Sequence, residues 1–338
     1  MLAGKKPVVV AGSINIDLVV NAERIPVEGE TVPGRDFQIH PGGKGANQAV
    51  AVARLGYPVR MIGRLGDDAF GSQLRRDLES AGVDAAGVTT TQGTSGVAMI
   101  VVAQKGENSI VITPGANALL TPEDLEKHIE IIRHAGLVLT QLEIPIETVE
   151  HLAQICHRED VPLILDPAPA KELPPKLLKN IEWFTPNETE AAFFIGNSIS
   201  AIALRDPAPM AEMLISKGVK GVVLKLGSRG AYLASAAGLT ERLRPFPVKA
   251  IDTTAAGDAF NGAFATGLML GMGPVEGARF AAAAAAISVT RAGAQPSMPA
   301  MAEVEQMIAR ANGGNGLGAR QILSVEPRTK QDEKPHES

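Results

Sequence analysis

Val8-Val9-Val10-Ala11-Gly12 is a continuous apolar run closed by a glycine, and its reading decides the fold. A strand that is apolar at every position has both faces covered, as parallel strands inside an α/β sheet do. The same mark returns at residues 59–62, 137–142, 163–165 and 222–226. Helical periods lie between these runs. Phe70, Leu74 and Leu78 fall at i, i+4 and i+8, with Arg75, Arg76 and Glu79 on the other face. Thr121-Pro122-Glu123-Asp124 reads as a helix start, with a capping Thr, Pro at the first helical position and acids in the first turn. Strands alternating with helices predict an α/β fold, a mostly parallel central sheet with helices on both faces.

Two stretches break the alternation. Residues 13–40 hold strand-like pieces at 18–20 and 31–39 with no helix between them, and residues 96–113 read as a hairpin turning at Lys105-Gly106-Glu107-Asn108. Together they form either a small β-sheet lid over one edge of the main sheet or a pair of ordinary surface hairpins. From Ala255 the pattern is helical, over 256–272, 274–290 and 301–311. The expected organisation is one domain over 1–312, with lid segments at about 13–40 and 96–113, followed by a polar, disordered tail at 313–338.

Composition narrows the function classes. The chain has 338 residues, 45% of them hydrophobic and 20% charged, which suits a globular protein with a sizeable core. A net charge of −5 argues against nucleic-acid or membrane-surface partners, yet leaves room for an anion held by backbone N–H groups and a lysine. Only 4% of residues are aromatic, against 35 glycines, so stacking platforms for single-stranded nucleic acid are disfavoured. Cys156 is the single cysteine, which excludes an internal disulfide and a cysteine-based zinc site and reads as a small apolar filler. With no secretory segment and no run of membrane-spanning length, a cytoplasmic location is expected.

Two clusters carry chemistry. His40-Pro41-Gly42-Gly43-Lys44-Gly45-Ala46-Asn47-Gln48-Ala49 leads into a helix, and adjacent glycines there let the backbone approach a ligand closely. It matches neither the P-loop, since Gly45 follows Lys44, nor the dinucleotide fingerprint, since Gln48 stands where glycine is needed. The second is Asp252-Thr253-Thr254-Ala255-Ala256-Gly257-Asp258-Ala259-Phe260-Asn261-Gly262. Small residues before a long apolar helix expose unpaired N–H groups at its positive end, a geometry that suits charge on a transferring phosphoryl group. Asp258, in that first turn, is placed to accept a proton from an attacking hydroxyl, or else it or Asp252 simply caps the helix. Asn15 and Asp17 follow one strand, and Glu143 another, at the carboxyl edge where α/β sheets bind ligands. Asn187-Glu188-Thr189-Glu190 is either a Mg²⁺-water site or a plain capping arrangement. Leu226-Gly227-Ser228-Arg229-Gly230 is a nucleotide contact or a hairpin turn.

In this order and at this spacing, the two clusters resemble those of the ribokinase branch of the ribokinase-like carbohydrate kinase family. The resemblance runs from about residue 7 to 310 and takes in Asn187-x-x-Glu190 and the ending Arg291-Ala292-Gly293-Ala294-Gln295-Pro296-Ser297. It implies ATP-dependent phosphorylation of the 5-hydroxyl of D-ribose, with deoxyribose, a ketohexose or a nucleoside as alternative acceptors. Asn15, Asp17, Gly43, Lys44, Asn47 and Glu143 would hold sugar hydroxyls. Asp258 would be the base, and Ala255, Ala256 and Gly257 the anion hole. Asn187 and Glu190 would act through Mg²⁺, Glu190 by way of water. Lys225, Gly227, Ser228 and Gly230 would line the ATP site, with Gly257 and Ala282. A K⁺ ion would lie near Asp252, Thr254, Ser288, Arg291, Gly293 and Ser297, several of them through backbone carbonyls. The lid would also make a homodimer contact. Three positions depart from the family pattern: Ala282 where His is common beside adenine, Ala259 where Thr is common after the base, and Lys225 where a small hydroxyl residue is common. A sugar-binding protein without catalysis is disfavoured by the intact Gly257 and Asp258, and a nicotinamide-dependent oxidoreductase by the missing fingerprint.

Overall fold

The computed structural model describes residues 4–104, 106–196 and 206–313. Of the expected tail at 313–338, all but Gly313 lies outside the described residues. Strands in chain order are β1 Val8–Ala11, β2 Asn15–Ala22, β3 Gly34–Gly42, β4 Val59–Gly66, β5 Asp84–Thr91, β6 Gly96–Ala103 and β7 Asn108–Thr113. They continue with β8 Leu137–Thr140, β9 Leu163–Leu165, β10 Trp183–Phe184, β11 Gly221–Lys225, β12 Ala231–Ser235 and β13 Thr240–Leu243.

The main sheet has nine strands in the order β13-β12-β11-β10-β9-β8-β1-β4-β5. Pairing is parallel from β11 across to β5, and β12 and β13 add an antiparallel edge. The run that decides the fold behaves as its composition demands. Val8 and Val10 enter the core on one face of the sheet, Val9 and Ala11 the core on the other, and all four are fully buried. The helices Lys44–Arg54, Ala256–Met269 and Pro274–Ser288 cover the first face. The helices Ile146–Arg158 and Ala208–Ser216 cover the second, where Cys156 is buried filler.

β2, β3, β6 and β7 form a separate four-stranded sheet in the order β3-β2-β6-β7. These are the two stretches that broke the alternation, although the strand expected over 31–39 runs instead from Gly34 to Gly42 and so reaches the glycine pair. The β11–β12 hairpin contains the short turn Gly227–Arg229, so the Leu226–Gly230 stretch is a hairpin turn.

Two features of this topology position the site. β1 lies between β4 and β8, so the chain leaves it toward one side and later returns on the other, a switch point at whose carboxyl edge a crevice opens. The helix Ala256–Met269 also lies against Lys44–Arg54 at very close range. A Cβ on Gly262 would sit 2.6 Å from the Ala51 Cβ and 2.8 Å from the Gln48 carbonyl oxygen. Glycine at 262 therefore lets the two motif-bearing helices touch.

Candidate active site

The switch point joins the loop after β1 to the loop after β8. Ser13 Oγ donates to Glu143 Oε2 at 2.6 Å, and the Lys44 amide donates to the same oxygen at 3.1 Å. Gly43, at φ +87°, holds a conformation that L side chains rarely adopt, and its Cβ would lie 2.7 Å from the Asn15 amide nitrogen. Asn15 Oδ1 accepts from Asn117 Nδ2 at 2.7 Å, and Asn117 Oδ1 in turn accepts from the Ile14 amide at 2.9 Å. The Asp17 carboxylate packs over Gly42, whose Cβ would meet Asp17 Oδ2 at 2.2 Å. Asn15, Asp17, Gly43, Lys44 and Glu143 are thus brought together, as the sequence predicted.

Asp258 joins this group from the other end of the chain. It is 4% exposed, and its carboxylate accepts from Asn47 Nδ2 and Gln48 Nε2, both at 3.0 Å. The capping alternative fails for it, because the helix begins at Ala255 without a side-chain cap bond. Ala255 itself is left-handed, at φ 57° and ψ 14°, a strained choice for a non-glycine residue. With no capping side chain, the first-turn N–H groups of Gly257 and Asp258 are left open, while the Ala256 amide, expected in the anion hole, donates to the Thr253 carbonyl at 3.3 Å.

The electrostatics follow from burial. Desolvation pushes Asp258 up to about 6, with Asp166 adding to it, while Lys44 and the two amides pull it back down. Asp17 rises to about 7, first through burial and then through its carboxylate neighbours Glu143 and Asp258. Burial favours the neutral form of Lys44, but Asp258, Asp166, Glu143 and Glu190 outweigh it and hold the ammonium charged.

A cavity of about 610 Å³ opens on the far side of Asp258. Its lining includes the polar residues Lys44, Asp166, Asn187, Glu190 and Lys225 and the apolar residues Phe246, Val248, Ala282 and Val289. Gly227, Ser228, Gly230, Ala255, Ala256 and Gly257 line it as well. Asn187 and Glu190 form a capping box, Asn187 N donating to Glu190 Oε2 at 2.8 Å and Glu190 N to Asn187 Oδ1 at 2.9 Å. Burial raises the Glu190 pKa. The capping alternative therefore holds here, and it aims the same carboxylate at the cavity.

The cation positions divide. Asp252 ties two loops together, accepting from the Thr254 amide and the Gly293 amide, each at 2.8 Å. Those bonds outweigh burial and lower its pKa. Ser288 and Ser297 donate to the carbonyls of Ala285 and Ala294. The Arg291 side chain is turned to Glu303, so only its backbone is left for the loop.

Sequence reasoning missed four participants. Ser13 and Asn117 brace Glu143 and Asn15, and Gln141 holds Gln48 through Nε2 to Oε1 at 2.7 Å. Asp166, 2% exposed, follows β9 just as Glu143 follows β8, and that shared place at the carboxyl edge was the available signal.

Residues 5–301 match the pfkB family carbohydrate kinase model. The chain belongs to the pfkB family of carbohydrate kinases. It is 43% identical over 303 residues to the ribokinase of Bacillus subtilis, covering 88% of this chain and 98% of that one. It is 37% identical over 304 residues to the deoxyribokinase of Salmonella typhimurium, covering 89% and 98%. The structure of Arabidopsis thaliana ribokinase complexed with ribose and ATP superposes with a TM-score of 0.84 at 37% identity, covering 90% of this chain and 99% of that one. Both the large sheet and the small one belong to this ribokinase-like fold. Among the described residues, no helix is long and apolar enough to cross a membrane.

Proposed function

We propose that this pfkB kinase phosphorylates D-ribose, transferring the γ-phosphoryl group of ATP to the 5-hydroxyl with Asp258 as the base. The observation that carries the reading is the meeting of the two clusters. A buried carboxylate in the first turn of an uncapped helix is hydrogen-bonded to Asn47, 211 positions earlier in the chain. One side of Asp258 faces directed polar groups of the type that bind sugar hydroxyls, and the other faces the helix end and the cavity. The base takes the hydroxyl proton as the oxygen attacks phosphorus, and the amides of the first turn offset charge on the transferring group. Asn15, Asp17, Gly43, Lys44, Asn47 and Glu143 bind the sugar. Gly227, Ser228, Gly230 and the apolar residues of the cavity lining take the nucleotide.

Two cations suit the residues present. Among the described residues no three metal-ligating side chains cluster, which fits Mg²⁺, an ion that keeps its waters and leans on phosphates. Glu190 and Asn187 would hold it through water, and it would neutralise phosphate charge. The oxygen atoms of the loops at 252–254 and 288–297, backbone carbonyls foremost, would suit K⁺ at Asp252, Thr254, Ser288, Arg291, Gly293 and Ser297.

The acceptor test is ADP release with ribose, deoxyribose, fructose and adenosine, each with and without K⁺. Strong turnover of another sugar with none of ribose overturns the assignment. Deoxyribose is the rival to watch, given the deoxyribokinase relative. The lid also supports a homodimer. Val111, Met99, Leu18 and Ile39 lie side by side in one cross-strand row, with Val111 63% and Met99 60% exposed. An exposed apolar face of this kind marks an interface. Light scattering should find a dimer, and Met99→Glu should shift it to monomer.

A further inference from the structure

We propose that Lys225 is a further catalytic residue, a side-chain cation beside the anion hole that takes up charge on the transferring phosphoryl group, and that Asp166 is the positioning residue that aims it. This rests on the kinase reading above. Lys225 ends β11, and its ammonium lies 2.9 Å from Asp166 Oδ1 in a side chain only 14% exposed. A Cβ on Gly257 would lie 3.3 Å from Lys225 Nζ, so the ammonium stands over the second residue of the helix Ala256–Met269. A cation at the positive end of a helix is in an unfavourable place unless an anion sits between them. Here Asp166 supplies the compensating charge. An ammonium has three N–H donors, and after the bond to Asp166 two are left for phosphate oxygens arriving at the helix end.

The rest of Asp166 is committed to the base. Its Oδ2 accepts from Gln48 Nε2 at 2.9 Å, and the same nitrogen donates to Asp258 Oδ1 at 3.0 Å. Gln48 Oε1 is occupied by Gln141 Nε2, and both glutamines are fully buried. A fixed carboxylate therefore holds Lys225 on the nucleotide side of the transfer path at a set distance from Asp258. The Lys225 ammonium is a charged donor, and charge-assisted hydrogen bonds are about twice as strong as neutral ones. The competing account is that Lys225 only neutralises a buried carboxylate.

The test uses the full chain, with Lys225→Met, Asp166→Asn and the double variant assayed for kcat and for the KM of the sugar. AMP-PNP and ADP affinities are measured alongside by calorimetry with Mg²⁺ present. Lys225→Met should lower kcat by about 10²-fold, the range seen on losing one preorganised donor. The sugar KM should stay within about threefold, and the AMP-PNP to ADP affinity ratio should fall about tenfold. Asp166→Asn should cost less on top of Lys225→Met than it costs alone, because the group it aims is already gone and only its bond to Gln48 is left to lose. Recovery of kcat toward wild type in the double variant makes Lys225 a neutraliser only and overturns the proposal. Fully multiplicative losses overturn the role of Asp166. An unchanged affinity ratio removes Lys225 from the phosphoryl group. If the wild-type chain phosphorylates none of the sugars, the kinase reading falls, and the affinity ratio alone decides Lys225.

Discussion

Replacing Asp258 with Asn should inactivate the enzyme and stabilise it in one step. The carboxylate is 4% exposed, and its pKa is raised from 3.8 to about 6, with burial as the main cause. A raised folded-state pKa means that the folded chain binds this proton more readily than the unfolded chain. That contribution is complete below 3.8 and is lost as pH rises through about 6. At about 1.4 kcal/mol per unit, ionised Asp258 costs the ligand-free fold about 3 kcal/mol near pH 7.5. Asn has the same shape and no charge. One of its amide hydrogens would face a donor, but Asn47 Oδ1 is buried without a partner, so rotating the Asn47 amide by half a turn presents an acceptor. Urea unfolding without ligands should show Asp258→Asn more stable by about 2–3 kcal/mol near pH 7.5, with roughly half of that left at about pH 5. In the coupled assay, kcat should fall by about 10² to 10⁴. A variant no more stable than wild type near pH 7.5 refutes the burial argument, and one with near-normal kcat refutes the role as base.

The pH profile of kcat/KM should rise through an apparent pKa near 6 as Asp258 loses its proton, and Lys44→Met should move that limb to higher pH, because Lys44 holds the Asp258 pKa down. A limb that moves to lower pH or stays in place contradicts the assigned charge environment. Gly42→Ala would place a Cβ 2.2 Å from Asp17 Oδ2 and displace that carboxylate, so steady-state kinetics should show the sugar KM raised at least about tenfold with the ATP KM little changed. Ala282→His adds a ring to the cavity lining and should lower the ATP KM several-fold, since stacking on a base contributes about 1 kcal/mol or more. No change would mean that the base lies elsewhere.

How much of this was legible follows from how local each signal is. The β1 run announced a buried parallel strand because four neighbours carry the message, and the strand is fully buried. β10 has two residues, Trp183 and Phe184, too few for any period to register, and only pairing with β9 and β11 makes it a strand. The uncapped helix start at Ala256 stood out because small residues crowd there. Asn117 was not, because its meaning lies in Asn15, 102 positions away, and in the Ile14 amide. Gln48 was visible only as a residue that spoiled a dinucleotide fingerprint. Its function needs Asp166 and Asp258, which approach from two other elements.

The charge of the site explains why its parts come as a set. Asp17, Glu143, Asp166, Glu190 and Asp258 stand against Lys44 and Lys225 in one connected region, so the ligand-free site is acidic. A triphosphate brought there meets a like-signed field, which the helix N-terminus and two ammonium groups only partly offset. One member of that set, Asp166, joins burial in keeping Asp258 from ionising too readily. Burial and Asp166 raise its pKa, Lys44 and two amides lower it, and the result lies within reach of neutral pH. A base with a pKa close to the working pH is ionised yet still proton-hungry, which is the condition for efficient transfer. Removing acids to welcome ATP would weaken the base, and adding cations from the chain would do the same. Cations arriving with the nucleotide, as proposed above, would resolve the conflict, because they would neutralise phosphate without permanently lowering the Asp258 pKa.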